Sequence, residues 1–84
     1  MSKTVLITGS SSGFGWDTAN TLADAGCTVF ASMRDIEGKN KHHADRFRDR
    51  GVQVVELDVT CSASVNRAID SVLQQAGRID VLIN

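Results

Sequence analysis

The sequence predicts an α/β fold: a parallel sheet with helices packed against its faces. Three observations predict it. Short β-branched apolar runs alternate with stretches of helical periodicity along all 84 residues. The apolar runs lack the in–out alternation of a half-solvated strand, so both of their faces are expected to be covered. Each run is separated from the next by enough residues for a helical crossover, and strands joined that way run parallel.

The elements follow in order. Thr4 to Thr8 reads as the first strand, bounded by Gly9. After a glycine-rich turn, Trp16 to Ala25 reads as a helix with Ala19, Leu22 and Ala23 on one face and Gly26 as its C-terminal stop. Thr28 to Ser32 is the second strand. Ile36 to Arg50 is polar, with only Ala44 and Phe47 suggesting an inward face, and reads as a loop leading into a helix that ends at Gly51. Val52 to Leu57 is the third strand. Ser64 to Ala76 is the clearest helix, because Val65, Ala68, Ile69, Val72, Leu73 and Ala76 keep the i, i+3, i+4, i+7 spacing. Gly77 ends it, and Ile79 to Ile83 is a fourth strand. With right-handed crossovers the order βαβαβαβ predicts strand order 3-2-1-4, the first half only of a doubly wound sheet. The first two helices then share one face and the third takes the other.

Composition narrows the function. Eighty-four residues suffice for one small domain. A net charge of −1 argues against a nucleic-acid or membrane-surface role, which needs a basic excess. Met1-Ser2-Lys3 is followed by only a short apolar run, Val5-Leu6-Ile7, too brief for a signal-peptide core, so a cytoplasmic location is expected. Cys27 and Cys61 form no CxxC pair and are expected to be free thiols.

The chemistry centres on Thr8-Gly9-Ser10-Ser11-Ser12-Gly13-Phe14-Gly15, between the first strand and the first helix. A dinucleotide pyrophosphate needs backbone N–H donors without side-chain bulk, and a helix N-terminus adds a favourable partial charge. On this reading Gly9 makes the turn, Gly13 admits the phosphates and Gly15 lets the helix pack closely; the alternative is a merely flexible loop.

The spacing Thr-Gly-x-x-x-Gly-x-Gly resembles the fingerprint of the short-chain dehydrogenase/reductase family, with a Rossmann-type fold. Three further segments agree. Leu57-Asp58-Val59 resembles the family's Asp-Val pair, which implies that the Asp58 carboxylate holds the adenine amino group beside Val59. Asp80 to Asn84 resembles the approach to the Asn-Asn-Ala-Gly motif, with Asn84 as its first residue. Val29 to Asp35 resembles the second-strand exit of NADP-using members, especially the hydroxysteroid and retinol dehydrogenase-like branch. The resemblance implies cofactor contacts from Gly9, Ser11, Ser12, Gly13, Phe14, Gly15, Arg34, Asp58, Val59 and Asn84. It also implies a small-molecule alcohol or carbonyl substrate and a homo-oligomeric whole protein.

Arg34 bears on cofactor choice. A carboxylate at the end of the second strand binds a free ribose 2′-hydroxyl, whereas an arginine pairs with a 2′-phosphate, which favours NADP(H) over NAD(H). Ser12 could donate to the same phosphate. Asp35 lies near the spacing of a ribose-binding acid but is expected one or two positions past the strand, facing solvent. Arg34 could instead be a solvated surface arginine, and Asp58 a turn or helix-N-terminal acid near Thr60 and Ser62. His42-His43 suggests no metal site, because adjacent helical side chains diverge and no second ligand set is at hand. Cys61 has no histidine partner that the sequence can place beside it. Trp16 is expected to pack on the helix surface.

The family's catalytic Ser and Tyr-x-x-x-Lys lie downstream of the Asn-Asn-Ala-Gly motif, and this sequence has no tyrosine. The expectation is therefore a partial cofactor-binding domain over residues 1–84, truncated after the fourth strand and inactive alone. It would belong to an oxidoreductase that interconverts an alcohol and a carbonyl by hydride transfer. The competing expectation is a stand-alone, non-catalytic nucleotide-binding or interaction module.

Overall fold

In the computed structural model, which describes residues 2–11 and 13–84, seven elements follow one another: β1 (Thr4–Ile7), α1 (Gly13–Asp24), β2 (Thr28–Met33), α2 (Lys41–Asp49), β3 (Gln53–Glu56), α3 (Ser62–Ala76) and β4 (Val81–Ile83). The four strands form one sheet in the order β3-β2-β1-β4. All three pairings are parallel, with Leu6 opposite Phe30 and Leu82, and Ala31 opposite Val54. This is the Rossmann-type order expected from the crossovers.

Successive residues of β1 and β2 alternate between two covered layers, which explains why these strands read as buried on both faces, whereas β3 exposes Gln53 and Glu56. Val5, Ile7, Val29, Ala31 and Met33 pack with Ala19 of α1 and with Ala44 and Phe47 of α2. Leu6, Phe30, Val55 and Leu57 pack with Ala68 and Val72 of α3. Two helices thus cover one face and one helix covers the other. On the α3 side a groove lined by Leu6, Val65, Ile69 and Leu82 stays open, and Leu82 is 54% exposed on the edge strand.

The element boundaries differ from the sequence reading for identifiable reasons. Helix α1 begins at Gly13 rather than Trp16, because Gly13-Phe14-Gly15 joins the first turn although glycine is a poor helix former. It stops one residue early, closed by Cys27 N–H to Leu22 O (3.0 Å) and Gly26 N–H to Ala23 O (3.0 Å). That bond pair is a Schellman motif. The same motif closes α2, with Val52 N–H to Phe47 O (3.0 Å) and Gly51 N–H to Arg48 O (3.0 Å). Val52 is consumed by this cap, so β3 starts at Gln53. Helix α3 starts at Ser62, two residues before the expected Ser64. Ser64 is instead buried, its hydroxyl accepting the Asp58 N–H at 2.9 Å.

Strand β4 starts at Val81 rather than Ile79, because the Thr4 N–H is taken by the Asp80 carboxylate (2.8 Å). Arg78 pairs with the same carboxylate. The Arg78 hydrogen bond, then the Thr4 N–H, hold the Asp80 pKa below its ordinary value. A carboxyl lowered in the folded state contributes stability above its unfolded pKa, and the contribution is lost as the pH falls through the folded pKa. Asp80→Asn is therefore expected to lower the melting temperature at neutral pH and to flatten the acid limb below about pH 4. A melting-temperature profile against pH checks it; equal acid limbs in wild type and variant would contradict the assignment.

Trp16 does more than lie on a helix surface. Its ring meets Phe47 of α2 at 4.4 Å between centroids, and the Arg46 guanidinium sits 4.2 Å from its centroid on the other element. The aromatic contact joins α1 to α2 beside the core. His42 and His43 also depart from expectation, since their rings lie 3.9 Å apart instead of diverging. No group of three metal-capable side chains occurs among the described residues.

Candidate functional site

The site is built at the carboxyl ends of β1, β2 and β4. Strand β1 ends at Ile7, one residue earlier than expected, because the Ile7 carbonyl is taken by two buried hydroxyls. Ser10 Oγ donates to it at 3.1 Å and Ser32 Oγ at 2.6 Å. The Ser10 N–H donates to Ser32 O (3.0 Å), and the Thr8 N–H donates to Ile83 O (2.9 Å). The glycine loop is thereby tied to all three strand ends.

Within the loop, Gly9 and Gly13 have φ of +63° and +48°. Both lie in the left-handed region that costs an L-residue about 1–2 kcal/mol. A Cβ at either position would point into open space. Gly15 is the opposite case. Its backbone is unstrained, but a Cβ there would lie 2.5 Å from Gly9 O and 3.0 Å from Ser10 Cα. The close packing expected of Gly15 is therefore against the loop's own backbone.

Two cavities meet at Gly9. One, of about 250 Å3, is lined by Thr8, Gly9, Phe14, Gly15, Thr18 and Asn84, among others. It opens between the ends of β1 and β4, where the chain switches from building the sheet on one side to building it on the other, the usual ligand crevice of such folds. The Thr8 hydroxyl donates to Asn84 Oδ1 at 3.2 Å, which brings Asn84 to this crevice. Phe14 is 78% exposed at its edge. The second cavity, of about 230 Å3, is lined by Gly9, Ser11, Arg34, Lys39, Asn40, Leu57 and Val59, with Met33 at its base.

The structure thus brings eight of the ten sequence-derived site residues towards this region; seven line a cavity wall and the eighth, Asp58, does not. Gly13 lines neither cavity but starts α1 at the loop's end. Ser12 lies outside the described residues. Asp58 turns to Thr60, accepting its hydroxyl at 2.6 Å and its N–H at 2.9 Å. Those bonds, with the nearby Arg34 charge, keep its carboxyl below its ordinary pKa. The turn role considered for Asp58 is thus real, and it leaves Asp58 ionised beside the second cavity. Asp35 sits two residues past β2, exposed, with its carboxylate on the Lys39 N–H (3.1 Å) rather than in the cavity.

Sequence reasoning missed Thr18, which lines the first cavity, and Lys39 and Asn40, which line the second. Lys39 and Asn40 reach the cavity from a turn with no periodicity to mark it. The open space at Gly9 and Gly13 and the N-terminus of α1 fit the pyrophosphate of a dinucleotide.

Comparison with known proteins supplies the family. The model of the short chain dehydrogenase family matches residues 3–84. The chain belongs to that family. As a short chain dehydrogenase it is 39% identical over 80 residues to a 3-ketodihydrosphingosine reductase of Bacteroides thetaiotaomicron, a match covering 95% of this chain and 26% of the relative. Among solved structures it superposes with a 3-ketoacyl-(acyl-carrier-protein) reductase of Brucella melitensis complexed with NADH. That match has a TM-score of 0.81 and 32% identity, over 95% of this chain and 32% of the other. An actinorhodin polyketide ketoreductase with NADPH gives a TM-score of 0.83 and 30% identity, over 96% of this chain and 31% of the other. The chain spans about a quarter to a third of the length of the curated relatives it matches. The chain has the Rossmann-type NAD(P)-binding fold of its family, and its solved neighbours include reductases complexed with NADH and with NADPH. No helix among its described residues is long and apolar enough to cross a membrane.

Proposed function

We propose that these residues are the cofactor-binding part of an NADP(H)-dependent oxidoreductase that interconverts a small-molecule alcohol and a carbonyl. The observation that carries the cofactor choice is the second cavity. Its wall holds Arg34, whose guanidinium has no ion pair among the described residues, and no carboxylate side chain lines it. A ribose 2′-hydroxyl would want an acid here; a 2′-phosphate wants the cation. The pyrophosphate would rest on Gly9, Ser11 and Gly13 at the N-terminus of α1, with Ser12 in the same loop. Phe14 and Gly15 would border the nicotinamide side with Asn84. Val59 and the ionised Asp58 would flank the adenine.

When bound, the nicotinamide supplies or accepts a hydride; these residues hold and orient the cofactor. The Ser and Tyr-x-x-x-Lys set that the family uses would lie outside residues 1–84, in a longer, cytoplasmic and homo-oligomeric protein. The relatives' greater length and the lack of tyrosine support a catalytic set beyond these residues. Reading the coding frame beyond Asn84 tests it: an in-frame Asn-Ala-Gly followed by Ser and Tyr-x-x-x-Lys is expected, and a stop codon would favour the non-catalytic module.

Arg34→Ala tests the cofactor. A hydrogen bond to a charged group contributes about 1.5–3 kcal/mol, so NADP(H) affinity is expected to fall about tenfold or more while NAD(H) affinity holds. Dissociation constants by calorimetry check it. Equal affinities in wild type, or an unchanged ratio in the variant, would sink the reading.

A further inference from the structure

We propose that Lys39 is a second selectivity residue, binding the adenosine 2′-phosphate beside Arg34, and that Glu56 is its positioning residue. This rests on the NADP(H) reading above and extends it.

The charge of the ligand motivates a second cation. A phosphate monoester carries about −1.5 to −2 at neutral pH, so one guanidinium leaves it half neutralised. Lys39 lines the same cavity as Arg34. Neither has an ion pair among the described residues; that is true also of Lys3, Arg46 and Arg67, but Arg34 and Lys39 are the cations that line this cavity.

The turn between them is heavily built for an exposed segment. Asp35 has φ +55°, a left-handed conformation that a non-glycine residue holds only where the surroundings over-determine it. Here they do. The Asp35 carbonyl accepts the N–H of Gly38 (3.1 Å) and of Asn40 (3.0 Å), and its carboxylate accepts the Lys39 N–H. The Asn40 amide donates to Arg34 O at 2.6 Å. A Cβ at Gly38 would collide with the Asp35 carboxylate. From the adjacent strand, 20 residues away in sequence, Glu56 accepts the N–H of Asp35 (2.7 Å) and of Ile36 (3.0 Å) through its two oxygens.

The three carboxylates near the cavity, Asp35, Glu56 and Asp58, are each engaged by backbone donors, and neither Arg34 nor Lys39 has an ion pair among the described residues. A bidentate carboxylate on consecutive N–H groups fixes where the turn leaves β2, and hence where Lys39 stands relative to Arg34. A glutamine keeps the shape but offers a single acceptor oxygen, so Glu56→Gln loosens the clamp.

The test uses the protein encoded by the whole reading frame that contains this chain. Calorimetry measures dissociation constants for NADP+, NAD+ and adenosine 2′,5′-bisphosphate, and melting temperatures confirm that each variant is folded. Lys39→Ala is expected to weaken NADP+ and the bisphosphate about fivefold, the upper range for an exposed charge pair, with NAD+ unchanged; Lys39→Arg restores the preference. Glu56→Gln is expected to reduce the NADP+ to NAD+ preference in wild type but to add nothing in the Lys39→Ala background. An unchanged preference in Lys39→Ala, with a loss in Arg34→Ala, overturns the Lys39 role and leaves the NADP(H) reading standing. No change in either variant removes both. Equal weakening of NADP+ and NAD+ by Lys39→Ala also overturns the selectivity role. A loss from Glu56→Gln that is the same in both backgrounds overturns its action through Lys39.

Discussion

Gly13→Val is expected to lower cofactor affinity at least about 100-fold, a loss of roughly 2.7 kcal/mol or more, while the protein still folds. Gly13 is the first residue of α1, where the unpaired N–H groups of the helix face the expected pyrophosphate. Nothing lies within 4 Å of a Cβ built there, so the branched side chain would not disturb the protein and would take the space at the start of α1 where the proposed pyrophosphate rests. Its φ of +48° adds strain of about 1–2 kcal/mol, somewhat more for a β-branched residue, which is below the stability of an ordinary domain. Calorimetry with NADP+ and NAD+, alongside a thermal melt, reads both effects. Retained binding would show that the loop is not the phosphate site. Gly13→Ala should show the same direction with less strain.

Gly15→Ala is expected to do the reverse: to strike the fold first and binding as a consequence. The added methyl would sit 2.5 Å from Gly9 O, a backbone atom that cannot swing aside as a side chain can. Overpacking of this kind costs about 1–3 kcal/mol. The better helix propensity of alanine returns up to about 1 kcal/mol, so a net destabilisation of up to about 2 kcal/mol is expected when the full return is realised. Relief requires the Gly9–Ser10 segment to move, and that segment carries the buried Ser10 hydrogen bonds to Ile7 O and Ser32 O. A lower melting temperature with weakened binding of NADP+ and NAD+ alike is the expected pattern. An unchanged melting temperature would show that the loop has room the geometry denies. The two glycines thus separate by which measurement moves first, although they stand two residues apart in one motif.

The sheet was legible because its signals are local and redundant. Strand and helix periods alternate, and parallel strands with right-handed crossovers admit few orders, so β3-β2-β1-β4 followed from element order alone. The two-faced core followed from it: Ala44 and Phe47, the only inward residues that the polar stretch offered, are both fully buried. The glycine-rich turn between β1 and α1 was legible for the same reason, and Gly9 and Gly13 there have the positive φ that favours glycine. The family follows from those motifs, and the match over residues 3–84 bears it out.

What the sequence determined by itself, then, is the alternation of elements, the sheet order, the glycine-rich loop proposed to meet phosphate and the single cation, Arg34, at the end of the second strand. Tertiary structure alone decided the rest. Whether Ser64 caps a helix or serves the Asp58 N–H depends on where α3 lies against β3. That Trp16 bridges to Phe47 and Arg46 depends on two helices meeting. That Glu56 clamps the turn after β2, and so carries Lys39 into the cavity with Arg34, depends on a strand 20 residues away. Local propensity reports only neighbours along the chain, whereas a bidentate carboxylate or a ring contact is set by distances between elements, which exist only once the sheet has brought them together.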